Sequence, residues 1–112
     1  MKTPPLPSSS RRKRALPQPP KHLLLPERKI WKAIVHESTF DSEASVAFLQ
    51  ATLESHQRAR LCRETVDREG AVFLDRFDQP KPHPLLSVER DARSAFIAGM
   101  KALNLDFVGD VK

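Results

Sequence analysis

The chain contains 112 residues, of which 19 are Lys or Arg and 14 are Asp or Glu, so its formal net charge is +5. This length is enough for one small domain. No apolar run approaches the roughly 18 residues of a membrane-spanning helix, so no transmembrane segment is expected. A single cysteine, Cys62, excludes an intrachain disulfide and fits a reducing, intracellular compartment.

Positive charge is concentrated near the N-terminus. Residues 1–25 contain six Lys and Arg and no acidic residue, whereas residues 26–112 contain 13 Lys and Arg and 14 Asp and Glu. Residues 1–22 are rich in Pro and basic side chains and have few apolar ones, so we predict a disordered tail there and a folded part over 23–105. The run Arg11–Arg14 is suited to nucleic-acid phosphates, and a solubilising tail is the alternative interpretation.

A short amphipathic helix is predicted over residues 26–37. Pro26 suits the first turn of a helix, because the N–H that a proline lacks would have no intrahelical partner there. Apolar side chains follow at i,i+4 spacing, and among them Trp31 is expected to anchor the core rather than to stack on a nucleic-acid base. The other face is basic and carries Arg28, Lys29, Lys32 and His36.

A much longer helix is predicted between Asp41, a candidate N-cap, and Gly70, a candidate C-cap. Its first half has two apolar faces, and we expect one to pack in the monomer core and the other against a neighbouring subunit. Its second half has one row of small side chains, which suits close packing against another helix. The candidate oligomer-interface residues are Val46, Phe48, Leu49, Leu53, Ala59, Cys62 and Val66.

The flank of the long helix carries opposite charges at i,i+4 spacing. We interpret these pairs as a solvated helix surface. Cys62 lies in the row of small side chains, where we expect a buried thiol without the neighbouring base that a catalytic cysteine needs. The charged pairs are Glu54–Arg58, Arg60–Glu64, Arg63–Asp67 and Glu64–Arg68.

After the long helix, the pattern predicts a small β-hairpin and a final helix. Residues 71–75 and 78–82 flank a turn, and an isolated pair of strands is marginally stable, so we expect the hairpin to pack on a helix or on a neighbouring chain. Pro84 precedes an amphipathic helix that ends near Asn104, and residues 106–112 are expected to fray. The predicted fold class is therefore mainly α, with a short helix, a long central helix, a small β-hairpin and a C-terminal helix.

The residue types that carry catalysis are not arranged for it in this sequence. The four histidines have no cysteine or carboxylate neighbours at metal-ligand spacing. The chain has three glycines and no Gly-rich phosphate-binding loop, and it contains no nucleophile-elbow motif. We therefore expect a protein that is not an enzyme and that needs no metal or cofactor.

From Pro20 to about residue 105, the order of these features resembles the phage terminase small subunits that are built as short helix, long helix, β-hairpin and helix. The chain departs from the family at Asn104, where members have Gly, and beyond it, where members often continue with Pro and Arg. The matching features are Trp31 in the first helix, Asp41 before the long helix, Gly70 at its end, the stretch Lys81-Pro82-His83-Pro84 to which the hairpin leads, and Leu103-Asn104-Leu105, on which the final helix closes.

The resemblance implies a non-enzymatic DNA-packaging factor in the host cytoplasm. Such a protein forms a homo-oligomeric ring, binds double-stranded viral DNA and presents it to the terminase large subunit, an ATPase and nuclease. The nearly neutral charge of residues 26–112 favours an alternative, a small helical interaction or regulatory module without DNA binding. The candidate DNA-contact residues are Arg11, Arg12, Lys13, Arg14, Arg28, Lys29, Lys32, Arg58, Arg60 and Arg63.

Overall fold

The computed structural model describes residues 16–38, 40 and 42–104. In this part of the chain, three helices and one two-stranded antiparallel sheet follow in the predicted order, so the mainly helical fold class is confirmed. Residues 1–15 of the predicted tail and residues 106–112, the predicted frayed end, lie outside the described residues. The elements are α1 (Leu25–Glu37), α2 (Glu43–Glu69), β1 (Val72–Leu74), β2 (Pro80–Pro82) and α3 (Leu85–Ala102).

The hydrophobic core lies where α1 and the C-terminal end of α3 pack on the first half of α2. Pro26 lies in the first turn of α1, as its fixed φ favours. Trp31 is 1% exposed, so its predicted role as a core anchor is confirmed. The buried residues of this cluster are Leu23, Trp31, Ile34, Val35, Leu49, Leu53 and Met100.

The packed part of the chain begins before residue 23, the predicted boundary. The Trp31 indole N–H donates to the Pro17 carbonyl (2.9 Å), and Arg28 Nη1 donates to the Pro20 carbonyl (2.8 Å). Pro19 is buried. A proline-rich segment loses less conformational entropy on ordering than a flexible one, so two side-chain donors on α1 can hold it. Residues 17–20 of the predicted tail therefore pack on α1.

Helix α2 has 27 residues and is about 40 Å long at 1.5 Å per residue. Its N-cap is Ser42, whose Oγ accepts a hydrogen bond from the Ser45 backbone N–H (3.1 Å). The predicted cap, Asp41, lies outside the described residues, and the role belongs to the next residue. Gly70 ends the helix as predicted: its φ is +94°, and its N–H donates to the Val66 carbonyl (2.6 Å).

Helix α3 runs antiparallel along α2. Near one end of the contact Thr52 faces Gly99, and near the other Arg63 bonds to Glu89. The predicted row of small residues lies on the face of α2 that α3 covers, and Ala59 and Cys62 are buried there. The predicted helix partner of this row is therefore α3 of the same chain. None of the described helices combines the length and hydropathy needed to cross a bilayer.

The hairpin is shorter than predicted and projects from the helices. Its strands pair Val72 with Pro82, Phe73 with Lys81 and Leu74 with Pro80, and every residue of both strands is exposed. Asp78 in the turn and Asn104 after α3 adopt positive φ, 63° and 61°, as expected for residues that tolerate the left-handed region. Within the described residues the two strands do not pack on a helix, contrary to one of the two predicted possibilities.

Candidate nucleic-acid interface

The exposed basic residues of α1 form a stripe on the side of the helix away from the core. Lys29, Lys32 and His36 are exposed and lie three and four residues apart, so they share one helical face, which we call the α1 basic face. The orientation is set by Trp31 and Ile34, which are buried on the opposite side. Among the described residues, neither lysine forms a salt bridge.

The N-terminal segment lies beside the α1 basic face. Leu16, Pro17 and Pro19 line a surface groove together with Lys32 and His36. The sequence run Arg11–Arg14 ends two residues before Leu16; these four side chains lie outside the described residues. The described part of the N-terminal segment thus lies next to Lys32, and the basic run directly precedes this segment in the sequence.

Arg28 has a structural role that the helical pattern did not predict. Its Nη1 donates to the Pro20 carbonyl (2.8 Å) and to the Leu23 carbonyl (3.4 Å). The side chain is half-buried against the segment that it holds. Arg28 therefore holds the N-terminal segment against α1, whereas Lys29 on the same helix forms no such contact.

Arg60 binds a buried carboxylate on another helix. Its Nε and Nη2 donate to the two oxygens of Glu27 (2.9 and 2.8 Å), and its Nη1 donates to Glu64 (3.0 Å). Glu27 is 0% exposed. Burial alone would raise the pKa of Glu27, but hydrogen bonds and positive charge from Arg60 and His56 hold it below the usual value. Bonding to Glu27 raises the pKa of Arg60 in turn.

Arg63 binds the second buried carboxylate. Its Nε donates to Glu89 (3.1 Å), which is 4% exposed, and its Nη1 donates to Asp67 (3.4 Å). Arg93 also bonds to Glu89. Hydrogen bonds from Arg93 and Arg63 lower the pKa of Glu89. The interpretation of the α2 charges as merely solvated surface is therefore wrong for Arg60 and Arg63, since both connect α2 to another helix.

The predicted i,i+4 pairs are formed in two of four cases, Arg60–Glu64 and Arg63–Asp67. Glu54 instead bonds to the His22 ring (2.6 Å) and to Gln50. Its pKa is lowered chiefly by the Gln50 hydrogen bond, with smaller contributions from His22 and from the charge of Arg58. Arg58 is exposed. The remaining pair, Glu64–Arg68, is absent, and Arg68 lies 3.8 Å from Glu69.

Most of the candidate oligomer-interface residues are buried within the single chain. Leu49 and Leu53 are 0% exposed in the core, so they are not available to a neighbouring subunit. Val46 is half-buried and packs against the same core. Phe48 keeps 45% of its surface exposed. The remaining three candidates, Ala59, Cys62 and Val66, are buried between α2 and α3.

Two features were missed by the sequence analysis. The first is the pair Glu27 and His56: the His56 ring lies 2.6 Å from a Glu27 oxygen and packs edge-on against Phe96, with 4.8 Å between ring centroids. No local spacing signals this contact, because the two residues are 29 positions apart. The second is the exposure of the predicted hairpin, whose Val72 and Leu74 are about 60% exposed; the alternation and the prolines that predict the hairpin carry no information about this exposure.

Within the described ranges, no group of three or more His, Cys, Asp or Glu is arranged to hold a metal ion. Comparison of the chain with protein-family models, with curated proteins and with solved structures found no match. The function is therefore inferred from the residues and geometry of this chain.

Proposed function

We propose that this protein is a phage terminase small subunit, a non-enzymatic adaptor that binds double-stranded viral DNA in the host cytoplasm and presents it to the terminase large subunit. The observation that carries the proposal is the order of elements that hold the resembling residues. Trp31 lies in α1, Gly70 ends the long α2, Lys81 lies in β2, and Asn104 follows α3. This is the order that the resemblance implies.

The charge distribution supports a phosphate-binding surface at one end of the domain. Lys29 and Lys32 are exposed, whereas Arg60 and Arg63 are neutralised by buried glutamates. The basic run Arg11–Arg14 precedes, in the sequence, the segment that lies beside Lys32. Contacts of this kind are to the DNA backbone, which positions a protein without specifying sequence. In a homo-oligomeric ring, the same contacts would be repeated and would add by avidity.

The first experiment measures DNA affinity by fluorescence anisotropy over a series of salt concentrations. Replacing Lys29 and Lys32 together by Ala should weaken binding and reduce the slope of log K against log salt by about 2, since each phosphate contact contributes about 0.9. The matched control replaces Arg90 and Lys101 by Ala, which removes the same charge from exposed positions on α3. Its slope should stay close to that of the natural protein.

A loss of equal size in both variants would show that net charge alone, rather than the α1 basic face, controls the affinity. Absence of binding at low salt would refute the DNA-binding function. Replacement of Arg11, Arg12, Lys13 and Arg14 by Ala tests the tail separately, and a slope unchanged by that variant would exclude the tail as a DNA-binding arm.

The second experiment measures the mass of the protein by light scattering across micromolar concentrations. A ring predicts one discrete species well above 12.7 kDa. A strict monomer over this range, with and without DNA, would contradict the assembly that the proposal requires.

The alternative function, an interaction or regulatory module without DNA binding, is favoured by one observation. The guanidinium groups of Arg60 and Arg63 are satisfied inside the fold, which leaves the surface of α2 nearly neutral. This function predicts no salt-dependent DNA affinity for the intact chain, so the anisotropy experiment decides between the two.

A further inference from the structure

A groove between α2 and α3 exposes an apolar surface that none of the described residues covers. Phe48 at one end is 45% exposed, and Val88 at the other end is 37% exposed. The two ends are continuous, because Ser55 and Ala95 line both. The other residues near the Phe48 end have small side chains and include Ala51, Ala98, Gly99 and Ala102. A continuous exposed apolar surface is typical of a contact with a partner.

The groove offers little to a polar ligand. Its hydroxyl-bearing side chains are Thr52 and Ser55, and each donates to a backbone carbonyl of its own helix (2.9 and 3.3 Å). Neither hydroxyl proton is therefore available to a ligand. The charged lining residues, Arg58 and Asp91, lie at the Val88 end. The surface thus suits an apolar segment that keeps its own polar groups in solvent.

The chain leaves the described residues at the Phe48 end of this groove. Ala102 lines the groove and is the last residue of α3. Asn104 follows with a φ of 61°, and the Leu103 N–H donates to the carbonyl of Gly99 (2.9 Å). After a left-handed cap of this kind, the next residue commonly packs back on the last helical turn. A chain that returned along the groove would begin with such a cap.

The sequence of residues 105–112, LDFVGDVK, alternates between apolar and charged positions. Successive side chains of an extended segment point to opposite sides. One side of such a segment would carry Leu105, Phe107 and Val111, with Gly109 between the last two. The other side would carry Val108 and three charged residues, Asp106, Asp110 and Lys112. This is the period of a segment that buries one side.

The length of this segment matches the length of the groove. From Ala102 to Val88 the groove follows α3 for about 21 Å at 1.5 Å per helical residue. Residues 105–112 span about 26 Å when extended, at about 3.3 Å per residue. The segment can therefore reach from its attachment point to the far end of the groove.

We propose that residues 105–112 of the same chain fold back at Asn104 and occupy this groove as an extended segment. Leu105, Phe107 and Val111 face the groove. The charged side chains face solvent, so the segment buries apolar surface without burying a charge.

The spacings of the helix and of the segment set the register. Two extended residues advance about as far as four helical ones. With Leu105 beside the end of α3, Phe107 therefore lies near Ala98, and Gly109 lies in the part of the groove that Ala95 lines. Gly109 has no side chain, so the backbone can approach the small residues of the helices closely at this point.

The point of attachment favours the same chain over a second copy. Leu105 follows Ala102 by three residues, and so short a connection holds the segment at the groove at an effective concentration of about millimolar. The apolar face predicted to meet a neighbouring subunit through Phe48 is then covered within one chain. The inference goes beyond the proposed function and uses no residue of the α1 basic face, so loss of either would leave the other standing.

The first test compares two double-cysteine variants of the full-length Cys62→Ala chain. Gly109→Cys with Ala95→Cys places one thiol on the apolar side of the segment and the other in the groove. Mild oxidation should give an intramolecular disulfide, measured by mass spectrometry as a monomer without free thiols. The matched control is Gly109→Cys with Ser94→Cys, since Ser94 is exposed on α3 and does not line the groove. It should oxidise at least about tenfold more slowly, because a disulfide needs close Cβ atoms.

Equal oxidation rates in the two variants, or no disulfide in either, would overturn the proposal. A disulfide that joins two chains through Ala95→Cys would also overturn it, because the groove would then bind the segment of a second copy.

The second test keeps the natural cysteine and the natural segment. Chymotrypsin accepts aromatic side chains in its specificity pocket, and cleavage after Phe107 removes residues 108–112, which mass spectrometry detects. Ala98→Asp places a charge in the groove and should speed this cleavage at least about tenfold, since cleavage follows the population of the open form. The control, Ile97→Asp, charges the adjacent residue, which is exposed outside the groove, and should leave the rate unchanged. Equal cleavage rates in the natural protein and both variants would show that the segment does not occupy the groove.

Discussion

Glu27 is a fully buried carboxylate that connects α1 to the middle of α2. Both of its oxygens accept hydrogen bonds from Arg60, and one lies 2.6 Å from the His56 ring. Burying a charge is unfavourable unless hydrogen bonds and an opposite charge compensate for it. Here they do, so this one residue helps to determine where α1 lies on the long helix.

Glu27→Gln should destabilise the protein by about 3 kcal/mol, the low end of the range for breaking a buried ion pair, because Arg60 is partly exposed and keeps Glu64. Urea unfolding at neutral pH measures the change. The control, Glu64→Gln, removes a carboxylate that is more than half exposed and should cost less than about 1 kcal/mol. Similar losses in both variants would show that Glu27 contributes no more than a surface pair.

The lowered pKa of Glu27 makes this contribution dependent on pH. Since the folded pKa lies below the ordinary value of 4.5, the ion pair stabilises the protein above pH 4.5 and its contribution is lost as pH falls through the folded pKa. The difference in unfolding free energy between the natural protein and Glu27→Gln should therefore shrink as pH falls below 4.5. A difference that is constant from pH 7 to the acid limit would contradict this linkage.

At the scale of the elements, the contact between α2 and α3 depends on the absence of a side chain at Gly99. A Cβ atom there would lie 2.3 Å from Thr52 Oγ1 and 2.9 Å from Thr52 Cγ2. Thr52 is itself buried and donates its hydroxyl to the Phe48 carbonyl (2.9 Å). Neither helix can shift freely at this point, because the neighbouring core residues Leu53 and Met100 are also buried.

Gly99→Ala should therefore be destabilising by about 1–3 kcal/mol from overpacking, even though Ala is the better helix former by about 1 kcal/mol. Thermal or urea unfolding measures the loss. The double variant with Thr52→Ala removes the clashing atoms and should recover most of the stability relative to the sum of the single changes. Additive losses would mean that the two side chains do not meet.

At the scale of the whole molecule, the domain includes part of the proline-rich tail. Residues 17–20 pack on α1 through Trp31 and Arg28, and His22 bonds to Glu54 on α2. These contacts join the N-terminal segment to both helices. The segment is also the link between the basic run and the α1 basic face, so its position bears on the proposed DNA-binding surface.

Two truncations separate the packed segment from the rest of the tail. Deleting residues 1–15 keeps every described contact and should change the unfolding free energy by less than about 0.5 kcal/mol. Deleting residues 1–22 removes the hydrogen bonds to Trp31 and Arg28 and should cost about 2 kcal/mol. Urea unfolding compares the two chains. Equal stabilities would show that residues 16–22 contribute nothing to the fold.

Much of the architecture follows from local patterns. Periodicity, Pro26, Gly70 and the turn residues around Asp78 predict the number, order and type of the elements, because these signals act over a few residues. The helix boundaries follow to within one or two positions. The burial of Trp31 and Cys62 follows from their places in apolar rows.

The candidate site could be predicted only in part. Lys29 and Lys32 were identified because exposure of a basic helical face is a local property. Arg60 and Arg63 were misjudged, because the glutamates that neutralise them lie 33 and 26 residues away, on other helices. Whether a charge on a helix is free or paired depends on what packs beside it, and a helical period carries no information about that neighbour.

The apolar residues of α2 and of the hairpin show the same division between what the sequence predicts and what tertiary packing decides. The sequence alone establishes that Leu49 and Phe48 lie on apolar faces and that β1 and β2 form a short hairpin with two prolines. Tertiary packing assigns Leu49 to the core and leaves Phe48 exposed, and the strand register turns Pro80 and Pro82 outward while the edge of β1 stays open. Local chemistry thus defines the elements, and the contacts between distant segments determine which of their surfaces remain available to a partner.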